Sequence, residues 1–180
     1  MLLSRRDGLT VEERVERSAQ IADRLNLLLA DRLPAGAILG LYAAKGSEVD
    51  TSLIDAAARG RGLEVVYPRV VGDELPLAFH RVRIDELVAS RFGLREPRAE
   101  VPGVALADIA AFVVPGLAFD RGGGRIGWGR GHYDATFAAA SPGALRIGLA
   151  FECQLIERVP REPHDVLVNN IITEVTTHVV

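Results

Sequence analysis

Apolar positions recur at helical spacing over residues 10–32, with Val11, Val15, Ile21, Leu25, Leu28 and Leu29 in roughly one register and charged residues between them. Thr10 stands three positions before Glu13, a capping-box arrangement, and Pro34 ends the run, so the segment predicts an amphipathic helix lying over a sheet. Beyond it the pattern shortens. Apolar runs at 37–44, 63–70, 75–82, 108–114, 146–151 and 168–172 read as buried strands, the last closing the sheet. Helices are predicted at 52–61, 84–90 and 152–158, and in the HYDATFAAA segment that begins at His132. Gly72 and Asp73 make a hairpin turn between the second and third strands, and Pro76 confines the third to an edge or an irregular start. His80 within that strand reads as structural or exposed, and residues 92–102 as a polar, proline-bearing loop. The element order predicts an α/β fold: a three-layer α/β/α sandwich, Rossmann-like, with a mostly parallel, mixed central sheet in a single domain over residues 1–180.

Composition narrows the setting. At 180 residues and 48% hydrophobic, the chain can bury a substantial core. Twenty-one basic against 24 acidic side chains leave a net charge of −3, so no bulk positive field points to a nucleic-acid partner and any anion site must be local. Lysine occurs once, at Lys45, so arginines carry the positive charge. The one cysteine, Cys153, cannot form an internal disulfide, and no apolar run approaches the roughly 18 residues that a membrane span needs. A cytoplasmic monomer without membrane or nucleic-acid partners is expected. Cys153 beside His164 raises a thiol-nucleophile reading, but free cysteines more often pack as small hydrophobes.

One stretch concentrates the chemistry. Residues 113–134 read VVPGLAFDRGGGRIGWGRGHYD, and six of the 18 glycines fall between 122 and 131, at 122, 123, 124, 127, 129 and 131. A strand that opens into such a loop and then into a helix N-terminus presents backbone N–H groups and a dipole to an anion. Arg121, Arg125 and Arg130 add full charges that can grip phosphate oxygens. The loop is not a Walker A motif, because Gly131 is followed by His132 rather than by Lys and Ser or Thr. Gly122, Gly124 and Gly127 do satisfy G-x-G-x-x-G, with Glu152 as a ribose-binding acid, but in a dinucleotide turn the helix starts among the glycines, whereas here GLAFDR precedes them and two more glycines follow.

The same string resembles the signature of the 5-formyltetrahydrofolate cyclo-ligase family, which reads approximately PGxxFDxxGxRLGxGxGYYD. Glu48-Val49-Asp50-Thr51, and Pro160 to Asp165 followed by Asn170-Ile171-Ile172-Thr173, agree with it, so the likeness runs from about Ser4 to Glu174. The resemblance implies ATP-dependent conversion of 5-formyltetrahydrofolate to 5,10-methenyltetrahydrofolate, with small-molecule substrates and Mg2+ as the metal. It implies ATP along Arg125, Ile126, Gly127, Trp128, Gly129, Arg130, Gly131, His132 and Tyr133, with Arg125 and Arg130 acting on the transferring phosphoryl group. Folate would meet Ala43, Glu48, Trp128, Gly129, Arg130, Gly131 and His132, and the metal Asp134 and Asp165. A carboxylate such as Glu48 accepts from two adjacent N–H donors of a pterin; two acids are enough to seat Mg2+ against phosphates and water.

The chain departs from the family pattern in two ways. His132 replaces the first of two tyrosines, and an N-terminal Lys-x-x-x-Arg that contacts nucleotide phosphates has no counterpart among residues 1–6; Arg5 and Arg6 are expected to be solvated instead. These departures leave two alternatives: a nucleotide-using paralogue that has lost folate turnover, or a non-catalytic anion- or dinucleotide-binding module.

Overall fold

Thr10 accepts the Glu13 backbone N–H while the Glu13 carboxylate accepts the Thr10 N–H, the reciprocal cap expected from the sequence. In the computed structural model, which describes residues 2–73, 76–163 and 165–180, a short helix α1 (Leu2–Asp7) precedes this cap and α2 (Val11–Arg32) follows it. Ile21, Ala22, Leu25 and Leu29 form the buried stripe of α2, whereas Val11 and Val15 face solvent, so the apolar face starts later than the spacing predicts.

The chain continues through β1 (Ile38–Gly40), α3 (Ser52–Gly60), β2 (Glu64–Arg69) and β3 (Ala78–His80). The predicted start of the third strand at residue 75 lies outside the described residues. Three two-residue strands follow: β4 (Val88–Ala89), β5 (Arg95–Glu96) and β6 (Gly103–Val104). Where a helix was expected at 84–90, a single 3-10 turn (Ile84–Glu86) gives way to β4, because β4 finds an antiparallel partner in β5. Next come β7 (Ile109–Val114), β8 (Ala118–Asp120), β9 (Arg125–Ile126), α4 (His132–Ala139) and β10 (Leu145–Leu149). The chain ends with β11 (Leu155–Ile156), β12 (Asn170–Ile172) and β13 (Thr177–Val179). The helix expected at 152–158 is one 3-10 turn (Glu152–Gln154) before β11, which pairs with β8.

The main sheet has eight strands in the order β13-β12-β10-β7-β1-β2-β3-β6. The five central strands are parallel, and β3, β6 and β13 add antiparallel pairs at its two ends. The sheet therefore closes on β13 rather than on 168–172. β2 and β3 form the expected hairpin, with β3 one strand in from the edge.

Both faces of the sheet are buried, as a parallel sheet requires. Leu39, Val65, Tyr67, Ala111 and Val113 point into the core under α2 and α3; Ile38, Val66, Phe112 and Val114 point into the opposite core with Phe137 of α4. Residues thus alternate between two cores along each strand. The outer layer on the α4 side is completed by a second sheet, β11-β8-β9, whose Phe119 packs in that core.

From β1 the chain moves to β2 on one side, and later returns to β7 on the other. In an α/β sheet ligands bind beyond the strand carboxyl ends at such a reversal. The β1 and β7 ends, which pair here, deliver the Glu48 loop and the glycine-rich stretch to one place.

Candidate active site

Two parts of the glycine-rich stretch do different work. Residues 121–124 turn the β8-β9 hairpin, and the buried carboxylate of Asp120 holds that turn by accepting the Gly122 and Gly124 N–H groups at 2.9 Å each. Arg121 lies exposed in this turn, whereas Arg125 is buried under the loop that follows. Residues 127–131 form the second part and lead into α4 with Gly129 at φ 74° and Gly131 at φ 63°, conformations that favour glycine.

Arg125 sits beneath this second part. Its side chain is 9% exposed, one nitrogen is 3.4 Å from Asp134 Oδ2, and its Cζ lies 5.2 Å from the centre of the Tyr133 ring. Its buried Nε has no hydrogen-bond partner among the described residues. Burial lowers the guanidinium pKa, opposed by Asp134, Tyr133 and Asp165, so the nearby carboxylates compensate the charge incompletely. An anion fits that deficit. Arg130 is more exposed and reaches across to Asp73 in the β2-β3 turn at 3.6 Å. Beyond that ion pair lies a cleft of about 620 Å3, whose lining includes Asp73, Arg69, Arg91 and Arg98.

Asp134 Oδ1 accepts the Val166 N–H at 3.1 Å, which draws the segment after Asp165 against α4; Asp165 itself accepts the Glu162 N–H at 2.7 Å. Both carboxylates therefore lie in the field of Arg125. No group of three His, Cys, Asp or Glu side chains among the described residues could hold a metal by itself. Two carboxylates beside a cation that favours phosphate are the oxygen ligands that suit Mg2+, which retains water and takes phosphate oxygens.

On the β1 side, the Glu48 carboxylate accepts the Lys45 N–H at 2.9 Å and lies near the polar edge of Trp128, which favours its charged form. Burial raises the Glu48 pKa; the Lys45 N–H, the charges of Arg6 and Lys45 and the nearby Trp128 oppose the rise. Lys45 Nζ lies 6.0 Å from the centre of the Trp128 ring, which is 59% exposed and forms an open wall. The Tyr133 phenol pKa is raised by burial, against Arg125 and with Glu48, so Tyr133 lies between the two halves of the site. Ala43 is half-buried against the core at the end of β1. Ile126 and Gly127 are half-buried beside Arg125, and His132 opens α4 with its carbonyl accepting the Thr136 hydroxyl at 2.6 Å. The added Cβ at Gly127 would come within 2.7 Å of Arg125 Nη1.

Arg6, expected in solvent, is 3% exposed. Its Nε donates to Ser47 Oγ at 2.9 Å and its Nη1 to the Gly116 carbonyl at 3.4 Å, because α1 docks against the Glu152–Gln154 turn and carries Arg6 between the two loops. Arg5 is exposed, as expected. Cys153 donates weakly to the Arg5 carbonyl at 3.7 Å, and burial raises its thiol pKa, the wrong direction for a nucleophile. His164, its suggested partner, lies outside the described residues. Glu152 is taken up by the Thr173 hydroxyl at 2.6 Å and does not face the loop as a ribose-binding acid.

The profile of the 5-formyltetrahydrofolate cyclo-ligase family matches residues 1–174. The chain belongs to that family. A 5-formyltetrahydrofolate cyclo-ligase of Mycolicibacterium smegmatis is 33% identical over 144 residues, which cover 77% of this chain and 74% of the relative. One of Escherichia coli is 30% identical over 179 residues, covering 96% of each. The solved structure of Aquifex aeolicus 5,10-methenyltetrahydrofolate synthetase matches with a TM-score of 0.82 and 30% identity, over 99% of this chain and 88% of the other. A 5,10-methenyltetrahydrofolate synthetase of Mycoplasma pneumoniae shares the fold, with a TM-score of 0.78 at 21% identity, over 96% of this chain and 94% of the other. As a cyclo-ligase family member the chain is an enzyme. No described helix is long and apolar enough to cross a membrane.

Proposed function

We propose that the chain converts 5-formyltetrahydrofolate and ATP to 5,10-methenyltetrahydrofolate, ADP and phosphate. The observation that carries this reading is the junction at Trp128: Lys45, whose N–H binds Glu48, holds its Nζ 6.0 Å from the Trp128 ring, while Gly127 of the same loop packs on Arg125 beside Asp134. A carboxylate suited to a pterin and a cation suited to a phosphate therefore share one short loop.

In this reading Glu48 accepts adjacent pterin N–H groups, Trp128 walls the ring, and residues 125–133 receive the triphosphate, with Arg125 and Arg130 drawing charge from the transferring group. Asp134 and Asp165 would hold Mg2+, which supplies charge neutralisation when bound. The formyl oxygen takes the γ-phosphoryl group and ADP leaves. N10 then closes on the activated carbon, losing its proton, and the C–O bond breaks to release phosphate. Positioning and electrostatics dominate such a transfer, which suits a site rich in arginine and backbone N–H and poor in titrating bases. Ala43, Gly129, Gly131 and His132 border the folate in this arrangement. Substrate and lone cysteine both suit the cytoplasm.

The test is incubation of the folded protein with ATP, Mg2+ and 5-formyltetrahydrofolate. Methenyltetrahydrofolate absorbance rising in step with ADP is expected. ADP formation without the folate product would favour a paralogue, and saturable binding without ADP would favour a binding module.

A further inference from the structure

Asp120 is 2% exposed and is not part of either ligand face. Its two oxygens gather four donors from two separate segments. Oδ1 accepts Gly122 N–H and Gly124 N–H within the hairpin and Arg161 Nη2 at 2.9 Å; Oδ2 accepts Val159 N–H at 2.8 Å. The same Arg161 nitrogen also donates to the Gly122 carbonyl at 3.0 Å. Burial pushes the carboxyl pKa up, but the N–H groups of Val159 and Gly124 and the Arg161 charge outweigh it and hold the group below its ordinary value.

These bonds join the two chains that carry the proposed metal carboxylates. Gly124 immediately precedes Arg125, whose guanidinium meets Asp134; Val159 and Arg161 begin the segment that carries Asp165. That segment touches the glycine-rich stretch at two further points, Val166 N–H on Asp134 and Val168 N–H on the Gly123 carbonyl at 3.0 Å. The contact at Asp134 uses an oxygen that a metal would also claim. Asp120 and Gly123 are the tethers outside that corner. The glycines complete the fit: a Cβ at Gly122 would approach Arg161 Nη2 to 2.7 Å, and one at Gly123 the Val168 carbonyl to the same distance.

We infer that Asp120 is a positioning residue that clamps the 159–168 segment to the β8-β9 turn and so sets Asp165 against Arg125 and Asp134. The inference rests on the proposed function for the role of that corner, but the clamp itself is a property of the chain. Asp120→Asn discriminates between its two halves. The amide oxygen turns to the three donors now on Oδ1, and the amide NH2 then faces Val159 N–H, so the hairpin survives while the tether to 159–168 loses its Val159 bond and the charge that pairs with Arg161. Arg161→Ala, at a half-exposed side chain, loosens the same tether with less risk to folding.

Three readouts on folded protein test it: hydrogen exchange without ligands, the Mg2+ concentration for half-maximal ATP binding, and folate binding followed by Trp128 fluorescence. Expected in both variants is faster exchange across 159–168 with the 118–126 hairpin still protected, a Mg2+ requirement raised about tenfold or more, and a folate constant within twofold of the parent. Exchange changes confined to 120–124, or equal losses of Mg2+ and folate response, overturn the clamp. A parent protein that answers to neither ATP nor folate overturns the proposed function instead, and the exchange pattern still decides the clamp.

Discussion

Gly127 is fixed by its neighbour rather than by its own torsions. Alanine there would place a methyl 2.7 Å from Arg125 Nη1, so the guanidinium must leave its place under the loop. Gly129, with φ 74° and nothing within 4 Å of an added Cβ, differs: alanine there strains only the backbone, at about 1–2 kcal/mol. Gly127→Ala is therefore expected to weaken ATP binding about tenfold or more at nearly unchanged melting temperature, and Gly129→Ala to do less. Titration calorimetry with ATP would reveal the order, and a weaker effect at Gly127 would remove Arg125 from the phosphate site. Glu48 makes a different prediction. Burial raises its pKa, so the native state holds the proton more tightly than the unfolded chain; the stability this contributes at low pH is lost as pH rises through the folded value. Ionised Glu48 is thus a cost at about pH 7. Glu48→Gln should melt no lower than the parent there and lose that advantage toward about pH 4, while its folate KM rises roughly 10- to 100-fold with a charge-assisted bond gone. A lower melting temperature at neutral pH would contradict the burial cost.

Among elements, those whose signal is local were legible and those made by pairing were not. The α2 cap and the buried strands β1, β2, β7, β10 and β12 followed from spacing, because a capping box and a run buried on both faces are properties of neighbouring residues. β8 and β9 were hidden inside the glycine string: Ala118–Asp120 and Arg125–Ile126 are too short to show a period and become strands by pairing with each other and with β11. The whole string therefore read as one phosphate loop, and Asp120 as part of a signature rather than as a tether. The hairpin also needs a seat on the main sheet. Phe119 fills it, lying where a Cβ at Gly148 of β10 would come within 2.4 Å of its ring and one at Gly116 within 2.6 Å. Gly148→Ala should cost about 1–3 kcal/mol through overpacking, and Phe119→Leu in that background should restore part of it. Urea unfolding of the two single variants and the pair measures this; additive losses would mean that the ring and the glycine do not share the contact.

At the scale of the whole molecule, the site is assembled from segments that meet only where the sheet order reverses, and α1 is one of the pieces that join them. Its Arg6 bridges Ser47, next to Glu48, and the Gly116 carbonyl at the mouth of the glycine-rich stretch. Nothing in the first seven residues foretells this, because Arg6 is buried by the docking of α1 on the Glu152–Gln154 turn and not by any pattern of its own. Removing the side chain leaves few orphaned acceptors: Ser47 still donates to Asp7, and Gln154 Nε2 still serves the Gly116 carbonyl at 2.8 Å. Arg6→Ala should consequently cost only about 1–3 kcal/mol. Its sharper effect is electrostatic. The Arg6 charge opposes the burial that raises the Glu48 pKa, so without it the carboxylate gains its proton at a higher pH. If ionised Glu48 is the form that accepts the pterin N–H groups, the pH below which folate KM begins to rise must move upward in Arg6→Ala and stay nearly in place in Arg6→Lys. Measured KM profiles for the parent and both variants carry the decision: a limb that stays fixed in Arg6→Ala, or moves toward acid, would break the link from the N-terminal helix to the folate carboxylate.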